Sequence, residues 1–132
     1  MSGALVLDSE GLAKAVQRDT GVHEWVTAAR AEGLLVVTSA AVLVEVIHPE
    51  VNDAALKWTL SCLRVEPVTQ AVAQSAAALL RDAGLHGHKH AIDAMLCATA
   101  LALPGLVTIL TSDVEDIELL TAAHGRIVAR KV

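Results

Sequence analysis

Ala94-Met-Leu-Cys-Ala-Thr-Ala-Leu-Ala-Leu-Pro104-Gly105-Leu-Val-Thr-Ile-Leu-Thr-Ser112 runs for nineteen residues without a charge. That is about the length of a membrane-spanning helix, so its reading decides the fold. Pro104-Gly105 sits in its middle, where a spanning helix would be broken. The half before it is Ala-rich and suits a buried helix over residues 91–103. The half after it, residues 106–110, is a short β-branched run that suits a buried strand. Helix, turn and strand is therefore the expectation, with no membrane span.

Other strands have the same character. Residues 5–7, 34–37, 65–68 and 127–129 are short continuous apolar runs rather than alternating ones, as expected of strands buried on both faces. Pro67 marks the third as an edge strand. Helices are expected over residues 9–17, 22–32 (after a turn at Asp19-Thr-Gly21), 40–47 (capped by Thr38-Ser39, stopped by His48-Pro49), 51–63, 70–83 (between Thr69 and Gly84) and 114–123. Residues 85–90 are expected to form a loop. Alternation of buried strands and helices gives α/β architecture with a mainly parallel central sheet of four or five short strands. In such sheets, sites form at the carboxyl ends of strands.

The chain has 132 residues, enough for a single domain over 1–132. Hydrophobic residues make up 54% and charged residues 19%, a composition that excludes disorder. Aromatics are only 2%, which argues against modules that stack bases on aromatic platforms. The formal charge of −5 excludes a broadly basic surface. Cys62 and Cys97 form no Cys-x-x-Cys pair, so a zinc ribbon or thioredoxin-type site is not expected, and buried, inert thiols are. Met1-Ser-Gly-Ala-Leu-Val-Leu-Asp8 has no basic segment ahead of its apolar run. It does not read as a signal peptide, and a cytoplasmic location is the expectation.

The acids stand where apolar sequence should be buried. Asp8 directly follows the first strand. Asp113 follows the run 106–110 after Thr111-Ser112, with Asp116 one helical turn on. Glu45 interrupts an apolar helix, and Asp93 opens the Ala-rich one. Each has a purely structural explanation: Asp8 and Asp93 at helix starts, Asp113 and Asp116 as cap and first-turn acids, Glu45 on a wet face. Taken together they suggest a shared cation, because unpaired buried carboxylates are costly. Oxygen ligands without an accompanying His or Cys motif point to Mg²⁺ or Mn²⁺ rather than zinc, and such a site suits phosphoryl chemistry.

These residues carry a family resemblance. Leu5-Val-Leu-Asp8-Ser9, then Glu45, then His90-Ala-Ile-Asp93-Ala-Met-Leu-Cys-Ala-Thr-Ala-Leu101, then Leu110-Thr-Ser-Asp113-Val-Glu-Asp116-Ile span nearly the whole chain in the order of a PIN domain. The chain most resembles the stand-alone VapC-type toxins of bacterial toxin–antitoxin pairs. Ser9-Glu10 departs from the more frequent Thr-Ser or Ser-Ala. The resemblance implies a three-layer α/β/α fold and an Mg²⁺- or Mn²⁺-dependent endoribonuclease whose acidic pocket is Asp8, Glu45, Asp93 and Asp113, with Asp116 as auxiliary metal ligand. It places Ser9 and Ser112 beside the pocket, and implies a homodimer and a small VapB-like antitoxin partner.

The cluster His86, His88, Lys89, His90 has three readings: a zinc or nickel site, phosphate contacts beside the pocket, or a solvated loop. Lys89, His88 and His90 are the substrate-contact candidates, with Arg81 and Lys14 behind them. Arg126, Arg130 and Lys131 read as a wet basic face. Two other functions stay open: a PIN-type RNA-processing nuclease that is not a toxin, and a catalytically inactive PIN-like binding protein.

Overall fold

The computed structural model describes residues 3–132; Met1 and Ser2, part of the stretch examined for a targeting signal, lie outside the described residues. The chain runs β1 (Gly3–Leu7), α1 (Ser9–Val16), α2 (Thr20–Ala31), β2 (Leu35–Ser39), a 3-10 turn (Ala40–Val42), α3 (Leu43–Val46), α4 (Asp53–Ser61), β3 (Arg64–Glu66), α5 (Gln70–Ala83), α6 (Gly87–Leu101), β4 (Leu106–Thr111), α7 (Val114–Leu120) and β5 (Ile127–Lys131). All five strands pair in parallel in the order β3-β2-β1-β4-β5. The uncharged stretch is thus the end of α6, a Pro-Gly turn and β4. No helix among the described residues is long and apolar enough to cross a membrane.

The connections β1-to-β2 and β2-to-β3 step one way across the sheet, whereas β3-to-β4 and β4-to-β5 step the other way. Right-handed crossovers then put α1, α2 and α4 on one face and α5, α6 and α7 on the opposite face. Packing agrees: α1 touches α2 and α4, while α5, α6 and α7 pack on one another. The fold is therefore the expected PIN-like three-layer one. Its core is continuous across the sheet, with Leu7, Leu12, Leu96, Ile109, Leu110 and Ile117 fully buried. The Ala-rich α6 buries most of its circumference, including Ala94, Leu96, Cys97, Ala98 and Ala100, which explains its lack of a strong polar face.

Several local expectations are corrected. Asp19 does not open a turn. Its carboxylate accepts the amide of Val22 and caps α2, which starts at Thr20. The apolar helix 40–47 divides into a 3-10 turn and the single turn of α3. Ser39 caps it, while Thr38 turns away and donates its hydroxyl to Leu7 O. The third strand is Arg64–Glu66, at the sheet edge as expected, with Pro67 just beyond it. Helix α7 stops at Leu120 rather than continuing to 123. Residues 87–90 are not a loop but the first turn of α6, which leaves helical dihedral angles at His90 (φ −115°, ψ 15°).

Arg126 is not on a wet face. Its guanidinium donates to the carbonyls of Leu101, Leu103 and Gly105, supplying partners for the last carbonyl of α6 and two from the Pro-Gly turn after it. Cys62 is half-buried and Cys97 buried, both free thiols. Burial, aided by the nearby Asp93 charge, pushes the Cys97 thiol up to about 12, so it is inert as a nucleophile.

At the opposite end of the sheet from the acids, Gly3 holds φ +152° with its Cα against β4, and an added Cβ would lie 2.8 Å from Leu106 O. Gly3→Ala is expected to destabilise the chain by about 1–3 kcal/mol, read as a lower chemical-denaturation midpoint with unchanged slope.

Candidate metal centre

Strand β1 is the first strand of both directions of winding, so β1 and β4 are neighbours whose following segments diverge. A crevice opens at their carboxyl ends, as at any such switch point in a parallel sheet. Asp8 leaves β1 there. It is buried, and its two carboxylate oxygens accept separate amides: Gly11 N at 2.7 Å and Ser112 N at 3.2 Å. The first is the cap of α1; the second comes from the segment after β4. Asp8 is thus both the helix cap and a crevice acid. Gly11 lets α1 start this close, since a Cβ there would meet Leu110 O at 3.1 Å.

Asp113 sits at the N-cap position of α7, but its carboxylate makes no capping hydrogen bond. Its amide instead donates to Thr111 Oγ1 at 2.9 Å, which leaves the exposed carboxylate free to face the crevice. Asp116 follows in the first turn of α7, half-buried. Asp93 enters from α6, in the same layer as α7, and is half-buried. Glu45, on α3, is exposed at the rim, where its carboxylate accepts the hydroxyl of Ser9.

These side chains meet in a cavity of about 390 Å³ whose lining includes Asp8, Ser9, Glu45, Asp93, Ser112 and Asp113, together with His88 and Lys89. Glu10 also lines it, an acid that sequence reasoning passed over as the residue after Ser9. Asp116 does not line it, but a carboxylate oxygen of Asp116 lies within 4.8 Å of one on Asp93. Among the described residues, no Lys or Arg pairs with Asp8, Glu45, Asp93, Asp113 or Asp116. Arg81 pairs with its neighbour Asp82 on the surface. Neither it nor Lys14 lines this cavity. Lys131 reaches it indirectly. Thr111 and Lys131 are in register across β4 and β5, and Lys131 Nζ donates to Ser112 O at 3.2 Å. No sequence pattern shows that neighbourhood, because it depends on which strand pairs with β4.

The electrostatics follow from this arrangement. Burial is the main cause raising the Asp8 carboxyl above its ordinary value, with the Asp113 charge adding to it. Hydrogen bonds from Gly11, Thr111 and Ser112 pull the other way. Asp93 is pushed up to about 6, first by desolvation and then by the charges of Asp113, Asp8, Asp116 and Glu45. The charges of Asp8, Glu45, Asp113 and Asp116 thus all bear on Asp93. Carboxylate oxygens crowded without basic partners are a donor set that fits Mg²⁺ or Mn²⁺.

His90 lies elsewhere than a substrate contact would. It is 9% exposed, not on a solvated loop, and its Nδ1 is 3.6 Å from Asp116 Oδ2. Among the described residues, the group of three or more ligating side chains that closes to within 4.8 Å is His90, Asp93 and Asp116, rather than Asp8, Asp93 and Asp113. His86 and His88 are exposed, with rings 6.2 Å apart.

No protein-family model matches the chain, and no curated protein sequence matches it. Among solved structures, VapBC2 from Rickettsia felis bound to a DNA fragment from its promoter matches with a TM-score of 0.68 and 15% identity, covering 98% of each chain. This likeness is one of fold over the whole length.

The raised carboxyls give a pH signature. Asp93 titrates near 6 in the folded chain and near its ordinary value when unfolded, so its unfavourable contribution is absent at low pH and sets in as pH rises through about 6. In chelator, Asp93→Asn should match the wild type in stability near pH 4. By pH 7 it should be more stable by about 1–2 kcal/mol, a figure reduced for solvent screening of a partly exposed group. Denaturant titrations across that range test this, and a pH-independent difference between the two chains would contradict it.

Proposed function

We propose that this chain is an Mg²⁺- or Mn²⁺-dependent endoribonuclease that hydrolyses phosphodiester bonds of RNA, and that it acts as the toxin of a VapBC-type pair. The observation that carries the reading is the convergence of Asp8, Glu45, Asp93 and Asp113 on one crevice, with Asp116 beside Asp93, none of them paired with a Lys or Arg among the described residues. Such a set is costly to fold unless a cation completes it. Asp8, Asp93 and Asp113, with Asp116 beside them, would hold the metal. When bound, the metal would supply the positive charge that meets phosphate and the activation of the attacking water.

The chain's own residues supply the rest. The Gly11 and Ser112 amides fix Asp8 in one orientation, so a ligand is preorganised rather than recruited. Ser9 holds Glu45 at the rim, where it can orient a water or accept its proton. Lys89 and His88, lining the same cavity, offer donors to the phosphate backbone. The small polar mouth suits a splayed single strand or loop better than a duplex.

The toxin reading is supported by the likeness in fold to VapBC2, whose name joins the two halves of such a pair. A VapB-like antitoxin and a homodimer follow from the same reading. Exposed apolar side chains at Val44, Ile47, Trp58 and Leu119 are available to cover one or the other.

Total RNA incubated with the chain and Mg²⁺ or Mn²⁺ should be cut to 5′-phosphate and 3′-hydroxyl ends, and EDTA should stop the reaction. Loss of residues behind a metal ligand costs roughly 10–100-fold, so Asp8→Asn or Asp113→Asn should lower the rate at least about 100-fold. Cleavage that persists in both EDTA and Asp8→Asn would end this reading. Growth arrest on expression, relieved by a co-expressed partner gene, separates a toxin from an RNA-processing nuclease.

A further inference from the structure

The sequence treats the acids and the His-Gly-His-Lys-His90 run as separate features. The fold joins them at one point. Asp93 belongs to both groups, facing the Asp8 and Asp113 carboxylates and also lying within 4.8 Å of ligating atoms on His90 and Asp116. His90 is about nine-tenths buried, and its ring nitrogens, hydrogen-bonded to no described residue, keep some access from outside. Its Nδ1 stands 3.6 Å from Asp116 Oδ2, beyond the 2.7–2.9 Å of a formed charge-assisted hydrogen bond. Two donors each about 2.1 Å from a single ion stand about 3–4 Å apart. The observed spacing fits two ligands of one cation.

We propose that His90 is a metal ligand of this chain, binding a divalent cation through an imidazole nitrogen together with Asp93 and Asp116, and that the site in consequence prefers a 3d cation of the Mn²⁺ class over Mg²⁺. The inference rests on the reading of the acid set as a cation site, and adds a nitrogen to what sequence suggests is an all-oxygen shell. Mg²⁺ takes hard oxygen ligands and gains little from imidazole, whereas the first-row transition ions accept nitrogen readily. The placement on α6 makes this local. His90 stands at the kink where the first turn of α6 leaves helical dihedral angles, with Asp93 three residues on, and Asp116 comes from α7 packed alongside; the three side chains bring ligating atoms within 4.8 Å of one another. The competing arrangement is a protonated His90 that neutralises Asp116 and takes no part in metal binding.

Electron-spin-echo modulation of the Mn²⁺-loaded full chain distinguishes the two. Wild type should show coupling from a directly bound ¹⁴N. His88→Gln should keep it and His90→Gln should lose it. By calorimetry, His90→Gln should weaken Mn²⁺ binding about tenfold or more and Mg²⁺ binding by less than about twofold. Bound Mn²⁺ without ¹⁴N coupling in the wild type, or coupling that survives His90→Gln, overturns the role of His90 and leaves the oxygen-ligated nuclease intact. Absence of any Mn²⁺ binding overturns both. If His90→Gln does not fold, a wild-type spectrum without ¹⁴N coupling still overturns the proposal, and coupling that persists in both His86→Gln and His88→Gln still supports it.

Discussion

The Asp8 carboxylate is the joint on which this structure turns. One oxygen takes the Gly11 amide in the first turn of α1 and the other takes an amide from the segment leaving β4. Its own backbone amide donates to Leu110 O at 3.1 Å, closing the β1–β4 pair at its carboxyl end. Three constraints that a sequence would otherwise satisfy separately are met by one side chain. The entry of α1, the exit of β4 and the floor of the crevice are therefore fixed relative to one another. Such sharing lets a carboxylate be almost wholly buried, since hydrogen bonds to the charged form offset part of the desolvation.

Only part of that cost is offset, and the remainder is visible at Asp93. Its carboxyl is raised mainly because it is withdrawn from water, and further because four other acids face it. A chain selected only for stability would place Asn or Leu there. A carboxyl in an interior of Ala and Leu is what sets the crevice apart from a neutral pocket. The tension between folding and function is concentrated in that one residue, where local consistency between pattern and environment breaks down.

Much of the architecture was legible because it depends on near neighbours in the chain. Thr69 and Gly84 bracket α5 as their cap chemistry demands, and Pro104-Gly105 divides α6 from β4 as the dihedral limits of proline require. Misreadings arose where local signals tie. Asp19-Thr-Gly21 contains turn residues that serve equally well to start a helix, and the Val22 amide decides for the cap. The His-rich segment lacks an apolar rhythm of its own, so its inclusion in α6 comes from packing against α5 and α7, not from propensity. Arg126 looks like any surface arginine until the last carbonyl of α6 and two from the Pro-Gly turn after it are brought to it.

The sequence by itself determined the class of fold, the carboxyl edge of the sheet as the place of the acids, and the candidate set Asp8, Glu45, Asp93, Asp113 and Asp116. Strand and helix periodicity, and the anomaly of charge in apolar runs, are properties of residues close in the chain. The tertiary structure alone decided which of them meet and at what spacing. It buried His90 against Asp116, set Lys131 behind Ser112, and tied Glu45 to Ser9 at the rim. Those relations join residues 19 to 36 positions apart through strand order and helix packing. Side-chain direction in three dimensions is not encoded in any pattern a linear reading can sum.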